Sequence, residues 1–372
     1  MRVLVVNAGS SSLKLRVLDD EDRVTDSADL PAPRGDTDRR ATAGAIGSFG
    51  AVDAVGHRIV HGGTRYTEPV IIDAGVRKLL QALSDLAPLH QPKSLTALDT
   101  VQAVLDERGA RVPAVACFDT AFHATIGPAA ATYALPPQWR QRWDLRRYGF
   151  HGLSHAYASR RAVELLAADP ASLRVVTCHL GAGASLAAVR GGRSVDTTMG
   201  FTPLEGLVMA TRSGSVDPGL VLWLEEHAGM PPAELAADLE HRSGLLGLAG
   251  TADMREILDS AARGDGAARL ARDVYLHRLR GSVAAMAAAM DGLDALVFTG
   301  GVGENSAEIR SRAAAGLGFL GIEVDSGRNA GDGHTAGGGA DREIGARGAR
   351  VRTMVVAARE DIEIARHVRT LV

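Results

Sequence analysis

The stretch Val175–Val189, VVTCHLGAGASLAAV, joins two apolar runs through a glycine-rich turn. Its two glycines, Gly181 and Gly183, can adopt positive φ angles and let the backbone approach a ligand closely. A strand–turn–strand unit of this kind can direct several backbone N–H groups at one anion. The pattern therefore predicts a β-hairpin with a phosphate-binding turn, and an ordinary β-hairpin is the alternative interpretation.

The same pattern opens the chain in Leu4–Val17, LVVNAGSSSLKLRV. Here the turn carries the hydroxyl groups of Ser10 and Ser12, and Lys14 follows it in a chain that contains only three lysines. Two hairpins of one design predict two similar halves that face one phosphate-rich ligand. Because strands alternate with helices along the rest of the chain, we predict two α/β domains with mixed sheets.

Length and composition narrow the class of protein. The 372 residues are enough for two domains of about 150 residues each. A net charge of −3 gives no electrostatic reason to expect binding to DNA, RNA or an anionic membrane. The longest uncharged apolar stretch, around residues 281–290, is far too short to cross a bilayer. We expect a cytoplasmic protein with two reduced core cysteines, Cys117 and Cys178.

Hydrophobic periodicity predicts the elements that follow each hairpin. Ser94 is expected to cap a helix. Residues 19–50 are expected to hold one or two strands and a surface loop. Residues 134–150 are expected to form a connector, and residues 327–349 a flexible loop. Strands are predicted over 52–60, 112–118, 293–298 and 350–356, and helices over 73–86, 94–108, 154–166, 219–228, 233–239, 252–262, 267–290, 306–315 and 361–370.

Several familiar catalytic and binding motifs are either absent from the sequence or occur only as incomplete or misplaced matches. Gly316–Gly321 fits GxGxxG but follows a helical segment, so we interpret it as a helix end and a turn. His151 and His155 have the spacing of a zinc pair but lack the glutamate of HExxH. The sequence contains neither a GxxxxGK[ST] P-loop nor a GxSxG nucleophile elbow.

Polar side chains remain at predicted strand ends or in glycine-rich turns, where the ligands of α/β proteins gather. Each alone could be an ordinary surface or hydrogen-bonded residue, but their common placement favours a site. They offer turns for phosphates, cations for phosphoryl oxygens, and oxygen ligands for Mg²⁺, which suits phosphoryl transfer. The residues are Asn7, Ser10, Ser12, Lys14, Arg58, His61, Asp119, His151, His179, Arg212, Asp253, Arg255, Glu304 and Asn305.

Seven stretches taken together resemble the acetokinase (acetate kinase) family: NAGSSSLK, HRIVHGG, FDTAFH, YGFHGLSH, HLGAGAS, MGFTPLEGLVMATRSGSVDP and FTGGVGENS. The resemblance covers almost the whole chain and implies the sugar kinase, Hsp70 and actin type of fold. Two ribonuclease-H-like domains would then close on a nucleotide in the cleft between them. The N-terminal domain would comprise residues 1–149 and 362–372, and the C-terminal, nucleotide-binding domain residues 150–361. A homodimer is also implied.

The resemblance also implies residue roles. Asn7 and Glu360 would hold Mg²⁺, with Mn²⁺ as a possible substitute. The catalytic residues would be Asp119, His151 and Arg212. The carboxylate substrate would contact Arg58, Val60, Leu89, Phe150 and Pro203. The nucleotide, ATP or ADP, would contact Ser10, Ser12, Lys14, His179, Leu180, Gly181, Ala182, Gly183, Asp253, Met254, Arg255, Gly301, Val302, Gly303, Glu304 and Asn305. Because a carboxylate nucleophile is already ionised at pH 7, we expect Asp119 to position Mg²⁺ or arginine rather than to accept a proton.

The function that follows is reversible, Mg²⁺-dependent transfer of a phosphoryl group from ATP to acetate, giving acetyl phosphate and ADP. Two departures leave alternatives open: Ala182 and Ala184 stand in a turn that usually reads LGNGSS, and QPKSL follows His90 where the family usually has NPANL. A lost hydrogen bond to a charged group costs about 1.5–3 kcal/mol. The alternatives are a propionate or butyrate kinase of the same family, and a catalytically impaired nucleotide-binding regulatory protein.

Overall fold

The computed structural model describes residues 1–9, 12–32, 38–86, 91–331 and 341–372. These residues form two compact units. Unit 1 comprises Met1–Ala124, Phe150–Tyr157 and Arg359–Val372, and unit 2 comprises Thr125–Gly149 and Ala158–Ala358. The predicted domain boundaries after residues 149 and 361 remain a prediction, and the compact units assign 125–149 and 150–157 differently from it.

Unit 1 contains a mixed sheet, six-stranded within the described residues, in the order β3-β2-β1-β4-β6-β5. Strands β1, β4 and β6 run parallel, while β2, β3 and β5 are antiparallel to their neighbours. The bounds are β1 Val3–Ala8, β2 Ser12–Leu18, β3 Val24–Pro31, β4 Ala54–Ile59, β5 Val70–Ile71 and β6 Ala114–Phe118.

Unit 2 repeats this topology in the order β11-β12-β10-β7-β8-β9, again counted over the part of the chain that the structure describes. Strands β7, β10 and β12 are parallel, and β8, β9 and β11 are antiparallel to their neighbours. The bounds are β7 Arg174–Leu180, β8 Ala184–Arg190, β9 Arg193–Thr197, β10 Ala295–Thr299, β11 Arg342–Glu343 and β12 Arg352–Val355. The prediction of α/β architecture with mixed sheets is confirmed, and each predicted hairpin begins one sheet.

Helices connect these strands. Those of unit 1 and its borders are α1 Arg39–Ser48, α2 Ala74–Ala82, α3 Gln91–Glu107, α6 Gly152–Leu166 and α15 Glu360–Leu371. The others are α4 Pro128–Ala131, α5 Pro137–Trp143, α7 Pro218–Ala228, α8 Pro232–Ala237, α9 Gly244–Ala249, α10 Met254–Ala262, α11 Gly266–Ala288, α12 Gly300–Asn305, α13 Ala307–Ala315 and α14 Ser326–Ala330. Short 3₁₀ turns cover Ser84–Leu86, Ala121–Thr125, Pro170–Ser172 and Gly318–Leu320, and a π-turn covers Asp238–Arg242.

The core of unit 1 lies between the sheet and the helices that cover it. Strand β6, AVACF, is buried along its whole length, as expected for a parallel strand covered on both faces. On β4, Gly56 allows α15 to pack closely, because a Cβ there would lie 2.4 Å from Cγ2 of Ile364 and 2.8 Å from Cγ2 of Val368. This close packing fixes the helix whose first residue is Glu360.

Several sequence-based expectations about elements were wrong or incomplete. Ser94 is a buried residue inside α3, which begins at Gln91, so it does not cap that helix. Residues 39–48 form α1, whose N-cap Asp38 accepts from two backbone N–H groups; its two glycines concealed the helical pattern. The strand β9 after the second hairpin was not anticipated. Of the predicted flexible loop 327–349, residues 332–340 lie outside the described residues, and the described part is not all loop, because it overlaps α14 and contains β11.

Other expectations hold. The Gly316–Gly321 segment follows the end of α13 and contains a 3₁₀ turn, as interpreted from the sequence. Cys117 and Cys178 are buried free thiols. Among the helices that the structure describes, none is long and apolar enough to cross a membrane.

Candidate functional site

Four polar side chains of unit 1 meet at one edge of its sheet. Asn7 and Arg58 lie near the ends of the neighbouring parallel strands β1 and β4, and Asp119 follows β6 directly. Because the carboxyl ends of parallel strands share one edge, these residues are brought together by topology. The backbone N–H of Asp119 donates to the carbonyl of Ile59 at 3.0 Å, which continues the β4–β6 pairing to the site.

A hydrogen-bonded chain connects the four residues. Arg58 Nε donates to both oxygens of Asp119 at 3.0 and 3.1 Å, and its Nη2 donates to Oδ2 at 2.6 Å. Nη1 of Arg58 donates to Oδ1 of Asn7 at 3.1 Å, and Nδ2 of Asn7 donates to Oε2 of Glu360 at 2.9 Å. The side chains of Arg58, Asp119 and Glu360 are only 16%, 2% and 15% exposed, respectively.

Burial and charge act in opposite directions on this cluster. Burial raises the pKa of the Asp119 carboxyl, Arg58 opposes that rise, and Glu360 adds to it. Burial lowers the pKa of the Arg58 guanidinium, but the carboxylates of Asp119 and Glu360 outweigh burial and leave that pKa raised. Since both Asp119 oxygens accept from Arg58, the geometry favours a positioning role for this carboxylate over proton transfer.

The cluster offers hard oxygen donors of the kind that suit Mg²⁺, but the Asn7 amide oxygen accepts from Arg58 and its Nδ2 faces Glu360 in this conformation. Asn7, Asp119 and Glu360 offer amide and carboxylate oxygens, the hard ligands that this ion prefers. Mg²⁺ usually takes one or two protein carboxylates and completes its shell with water and substrate phosphates. In the part of the chain that the structure describes, no group of three or more His, Cys, Asp or Glu residues could hold a metal by itself.

The segment Phe150–Gly152 is held beside Asp119 by a backbone hydrogen bond. The N–H of Gly152 donates to the Asp119 carbonyl at 2.9 Å, and a Cβ at Gly152 would lie 2.2 Å from that oxygen. His151 precedes it in the left-handed conformation, with φ of 56°, which is uncommon for a residue other than glycine. Buried Phe150 packs edge-on against the His61 ring at a centroid distance of 5.5 Å.

Buried histidines beside this segment are structural. Nδ1 of His61 accepts from the N–H of Gly63 at 2.8 Å, and Nε2 of His123 lies 3.0 Å from the Phe150 carbonyl. Burial lowers the pKa of each of these two imidazoles to about 4. Both are therefore neutral at pH 7, and neither offers a positive charge to an anion.

In unit 2, the predicted phosphate-binding turn joins β7 to β8. The N–H of Gly181 donates to the Gly183 carbonyl at 3.0 Å, and the Ala182 carbonyl accepts from Ala210 at 3.1 Å. Ala182 is exposed, whereas Ala184 is completely buried at the start of β8. The two departures from the usual family pattern therefore lie in different environments.

A second glycine-rich segment of unit 2, Gly300–Asn305, follows β10, the strand that pairs with β7. Its sequence is GGVGEN, and it forms α12. Oε1 of Glu304 accepts from the N–H of Gly300 at 3.0 Å and from that of Ala358 at 2.9 Å, so this carboxylate oxygen holds the local backbone. Burial raises the pKa of Glu304, and the two backbone hydrogen bonds oppose the rise.

Arg212 is a partly buried cation of unit 2. Its Nη1 donates to the Pro203 carbonyl at 3.0 Å, and no ion pair links it to a carboxylate among the described residues. Burial lowers its pKa, with Glu240 acting against that shift. Asp253, by contrast, caps α10 and forms an ion pair with Arg255 at 2.6 Å, so both of these predicted nucleotide contacts already have local partners.

The structure thus gathers the predicted residues into separate groups within each unit. Lys14 is exposed and pairs with Asn7 across the first hairpin. Ser10 and Leu89 lie outside the described residues. Sequence reasoning missed Arg310, which supports α12 from a buried position. Its signal was a charged residue on the face of α13 that also carries the buried Ile309 and Ala313.

Comparisons with known proteins give one consistent answer. The acetokinase family model matches residues 40–366. An acetate kinase of Streptomyces coelicolor is 44% identical over 403 residues, covering 100% of this chain and 97% of that protein. The crystal structure of Porphyromonas gingivalis acetate kinase superimposes with a TM-score of 0.88 at 35% identity, covering 100% and 99% of the two chains. A Francisella tularensis propionate kinase gives 0.88 at 34% identity, covering 98% of each chain.

Proposed function

Because this chain belongs to the acetokinase family and is a carboxylate phosphotransferase, we propose that it transfers a phosphoryl group reversibly between ATP and acetate. The products of the forward reaction are acetyl phosphate and ADP. The observation that carries the proposal is the Asn7–Arg58–Asp119–Glu360 chain of hydrogen bonds, which places one cation among oxygen ligands at the strand ends of unit 1.

Arg58 is proposed to bind the carboxylate of acetate. Its guanidinium is held by Asp119 on one side and by Asn7 on the other, so it is oriented before a ligand arrives. Val60 and Phe150, both buried residues of unit 1, are proposed to supply apolar surface for the methyl group. The assignment of Pro203 and Leu89 to the same substrate rests on the resemblance and stays a prediction. Since acetate is already an anion at pH 7, the reaction requires no general base.

His151 and Arg212 are proposed to stabilise the transferring phosphoryl group. A loose, metaphosphate-like transition state spreads negative charge over three oxygens, and a cation placed there is worth about 10³-fold or more in rate. Arg212 suits this role because no described carboxylate neutralises it through an ion pair. His151 suits it because its strained backbone is adjacent to the residue bonded to Asp119.

The nucleotide is proposed to contact both glycine turns of unit 2. The residues assigned to it are Ser10, Ser12, Lys14, His179–Gly183, Asp253–Arg255 and Gly301–Asn305. Mg²⁺, held by Asn7 and Glu360, would neutralise phosphate charge when bound, and Mn²⁺ could replace it with the same donors. Location of the nucleotide between the two predicted domains stays a prediction.

The choice among small acids rests on pocket size. The similarity to a propionate kinase structure equals the similarity to an acetate kinase structure, with a TM-score of 0.88 in both cases. One methylene changes binding by only about 1–3 kcal/mol. We propose acetate as the preferred acid, with propionate as the second candidate.

We also propose that the chain forms a homodimer through α7. This helix has no buried residue, and Leu222 and Trp223 on it are 56% and 53% exposed. Leu220, also on α7, is 49% exposed, and Val216, two residues before the helix, is 39% exposed. Large apolar patches on soluble proteins commonly mark interaction sites, and a second copy would cover them.

A hydroxamate assay tests the proposed activity. Purified protein is incubated with ATP, Mg²⁺ and acetate, propionate or butyrate, and the acyl phosphate is trapped with hydroxylamine. We expect the highest kcat/KM with acetate, and no product when every phosphoryl donor is omitted. GTP and pyrophosphate serve as alternative donors. Absence of product with every acid and donor would contradict the proposal and would favour a nucleotide-binding regulatory protein.

A further inference from the structure

Arg310 on α13 is a buried cation whose described hydrogen bonds all go to neutral groups. Its side chain is among the largest fully buried ones, with the residue only 1% exposed. Nη1 donates to the carbonyls of Gly303 at 2.9 Å and Glu304 at 2.7 Å. Nε and Nη2 donate to Oδ1 and the carbonyl of Asn329 at 2.7 and 2.9 Å. No ion pair among the described residues involves Arg310.

Burying the Arg310 guanidinium without a carboxylate partner among the described residues lowers the stability of the folded protein. Removing a charge from water costs several kcal/mol, and apolar side chains of similar volume would usually pack as well or better. Burial lowers the pKa of Arg310 to about 10, and the positive charge of Arg342 acts in the same direction. Arg310 nevertheless stays protonated at pH 7, so a positive charge persists behind α12.

The groups that Arg310 binds explain its position. Gly303 and Glu304 lie in the last turn of α12, where carbonyl groups have no partner within the helix. The other end of α12 is held by Oε1 of Glu304, which accepts from the Gly300 N–H. Asn329 is fixed in turn, because its Nδ2 donates to the Ala307 carbonyl at 2.8 Å. The backbone of α12 is therefore fastened at both ends.

We propose that Arg310, oriented by Asn329, is a positioning residue for the nucleotide. It holds the backbone of Gly301–Asn305 in the form that binds the nucleotide, and its charge, which no described carboxylate neutralises, favours an anionic ligand there. This inference rests on the proposed function, in which that segment contacts ATP. It predicts an effect on ATP binding and little effect on acetate binding.

The test compares Arg310→Lys and Arg310→Met with Arg312→Met. Arg312 lies two residues further along α13 but is half-exposed and paired with Glu308, so it controls for changes on the same helix. ATP binding is measured by calorimetry, and KM values for ATP and acetate by steady-state kinetics. Wild-type binding and turnover are measured first, so failure of the proposed function is detected independently of any variant.

We expect Arg310→Met to raise the Kd of ATP about tenfold or more, with the KM of acetate changed less than about twofold. Arg310→Lys retains the charge but not the fork of donors, so we expect a rise of about threefold. Arg312→Met should bind ATP like the wild type. If Arg310→Met does not fold, Arg310→Lys decides the question. An unchanged Kd for ATP in a folded Arg310 variant, or equal rises in both KM values, would overturn the inference.

Discussion

The guanidinium of Arg58 contacts both carboxylate oxygens of Asp119, with three donor–acceptor distances between 2.6 and 3.1 Å. The two residues lie 61 positions apart in the chain, and the parallel pairing of β4 with β6 brings them together. Because Asp119 is almost fully buried, its charge is compensated by Arg58 rather than by water. The pair therefore orients the proposed carboxylate-binding cation and fixes the adjacent backbone at once.

Replacing Asp119 with Asn should damage both activity and stability. Arg58 would lose the closer of its two described carboxylate partners, with Glu360 remaining at 3.9 Å, while its guanidinium stays largely buried, which costs about 3 kcal/mol. A misplaced guanidinium should lower kcat about 10²-fold, since small errors in substrate position are that costly. Steady-state kinetics and urea unfolding measure the two effects. Wild-type kcat in Asp119→Asn would show that the pair has no part in turnover.

A surface pair of similar geometry provides the control. Arg77 contacts Asp99 through Nε at 2.8 Å and Nη2 at 2.7 Å, but these side chains are 27% and 53% exposed. Exposed ion pairs contribute only about 0–1 kcal/mol. We therefore expect Asp99→Asn to retain wild-type kcat and nearly all of the free energy of unfolding.

Arg212→Ala should abolish most activity without unfolding the protein. The residue contributes a partly buried charge and one hydrogen bond to the Pro203 carbonyl, so its removal relieves desolvation and leaves no described carboxylate unpaired. We expect kcat to fall about 10³-fold with little change in melting temperature. Arg242→Ala, at an exposed arginine paired with Asp238, is the matched control and should leave kcat unchanged. Near-normal turnover in Arg212→Ala would reject its assignment.

The sequence allowed much of the fold to be predicted, because each half begins with an apolar hairpin whose turn is marked by glycine or serine. Asn7, Arg58 and Asp119 could be proposed for the site because they come at or near the ends of apolar strands. A residue at the end of a predicted strand can be placed in the fold from local sequence alone, because parallel strands bring their carboxyl ends to one edge of the sheet.

The remainder depended on tertiary contacts that no local pattern records. Glu360 entered only through resemblance, because its place is set by α15 packing on Gly56, more than 300 residues earlier in the chain. Ser94 was misplaced because a serine inside α3 has the same local signature as a helix cap. Arg310 was missed because its place on the apolar face of α13 was overlooked, and its role became visible only with its carbonyl partners in α12.

Unfolding should depend on pH through His57. This residue of β4 is buried, and both ring nitrogens lack hydrogen-bond partners among the described residues. Burial lowers its pKa from 6.5 to about 4, with Asp99 acting weakly in the opposite direction. Between those pH values the unfolded chain binds a proton that the folded protein does not. The free energy of unfolding should therefore fall as pH decreases from 6.5 to 4, by about 3 kcal/mol for this residue.

His57→Leu isolates that contribution. The leucine removes the titrating group at similar volume, so the variant should be at least as stable as the wild type at pH 7. Its free energy of unfolding should fall less between pH 6.5 and 4, as measured by urea titration at several pH values. Parallel stability–pH curves for the two proteins would contradict a neutral, buried His57.

The proposed homodimer can be tested at Trp223. Placing a charge on an apolar interface disfavours association, so Trp223→Glu should convert a dimer into a monomer in light scattering after gel filtration. The variant should keep its fold, because Trp223 is more than half exposed. Trp139→Glu alters another half-exposed tryptophan, on α5, and should leave the mass unchanged. A monomeric wild type at micromolar concentration would reject the dimer.

The two alanines of the β7–β8 turn should respond differently to restoration of the usual family residues. Ala182 is exposed, so Ala182→Asn can add a side-chain amide without displacing core atoms. One added hydrogen bond to a phosphate oxygen should lower the Kd of ATP about tenfold. Ala184 is fully buried, so Ala184→Ser places a hydroxyl in the core and should destabilise the fold by about 1–3 kcal/mol unless it finds a partner. Calorimetry with ATP and thermal unfolding distinguish the two effects, and unchanged ATP affinity in Ala182→Asn would show that this turn does not contact the phosphates.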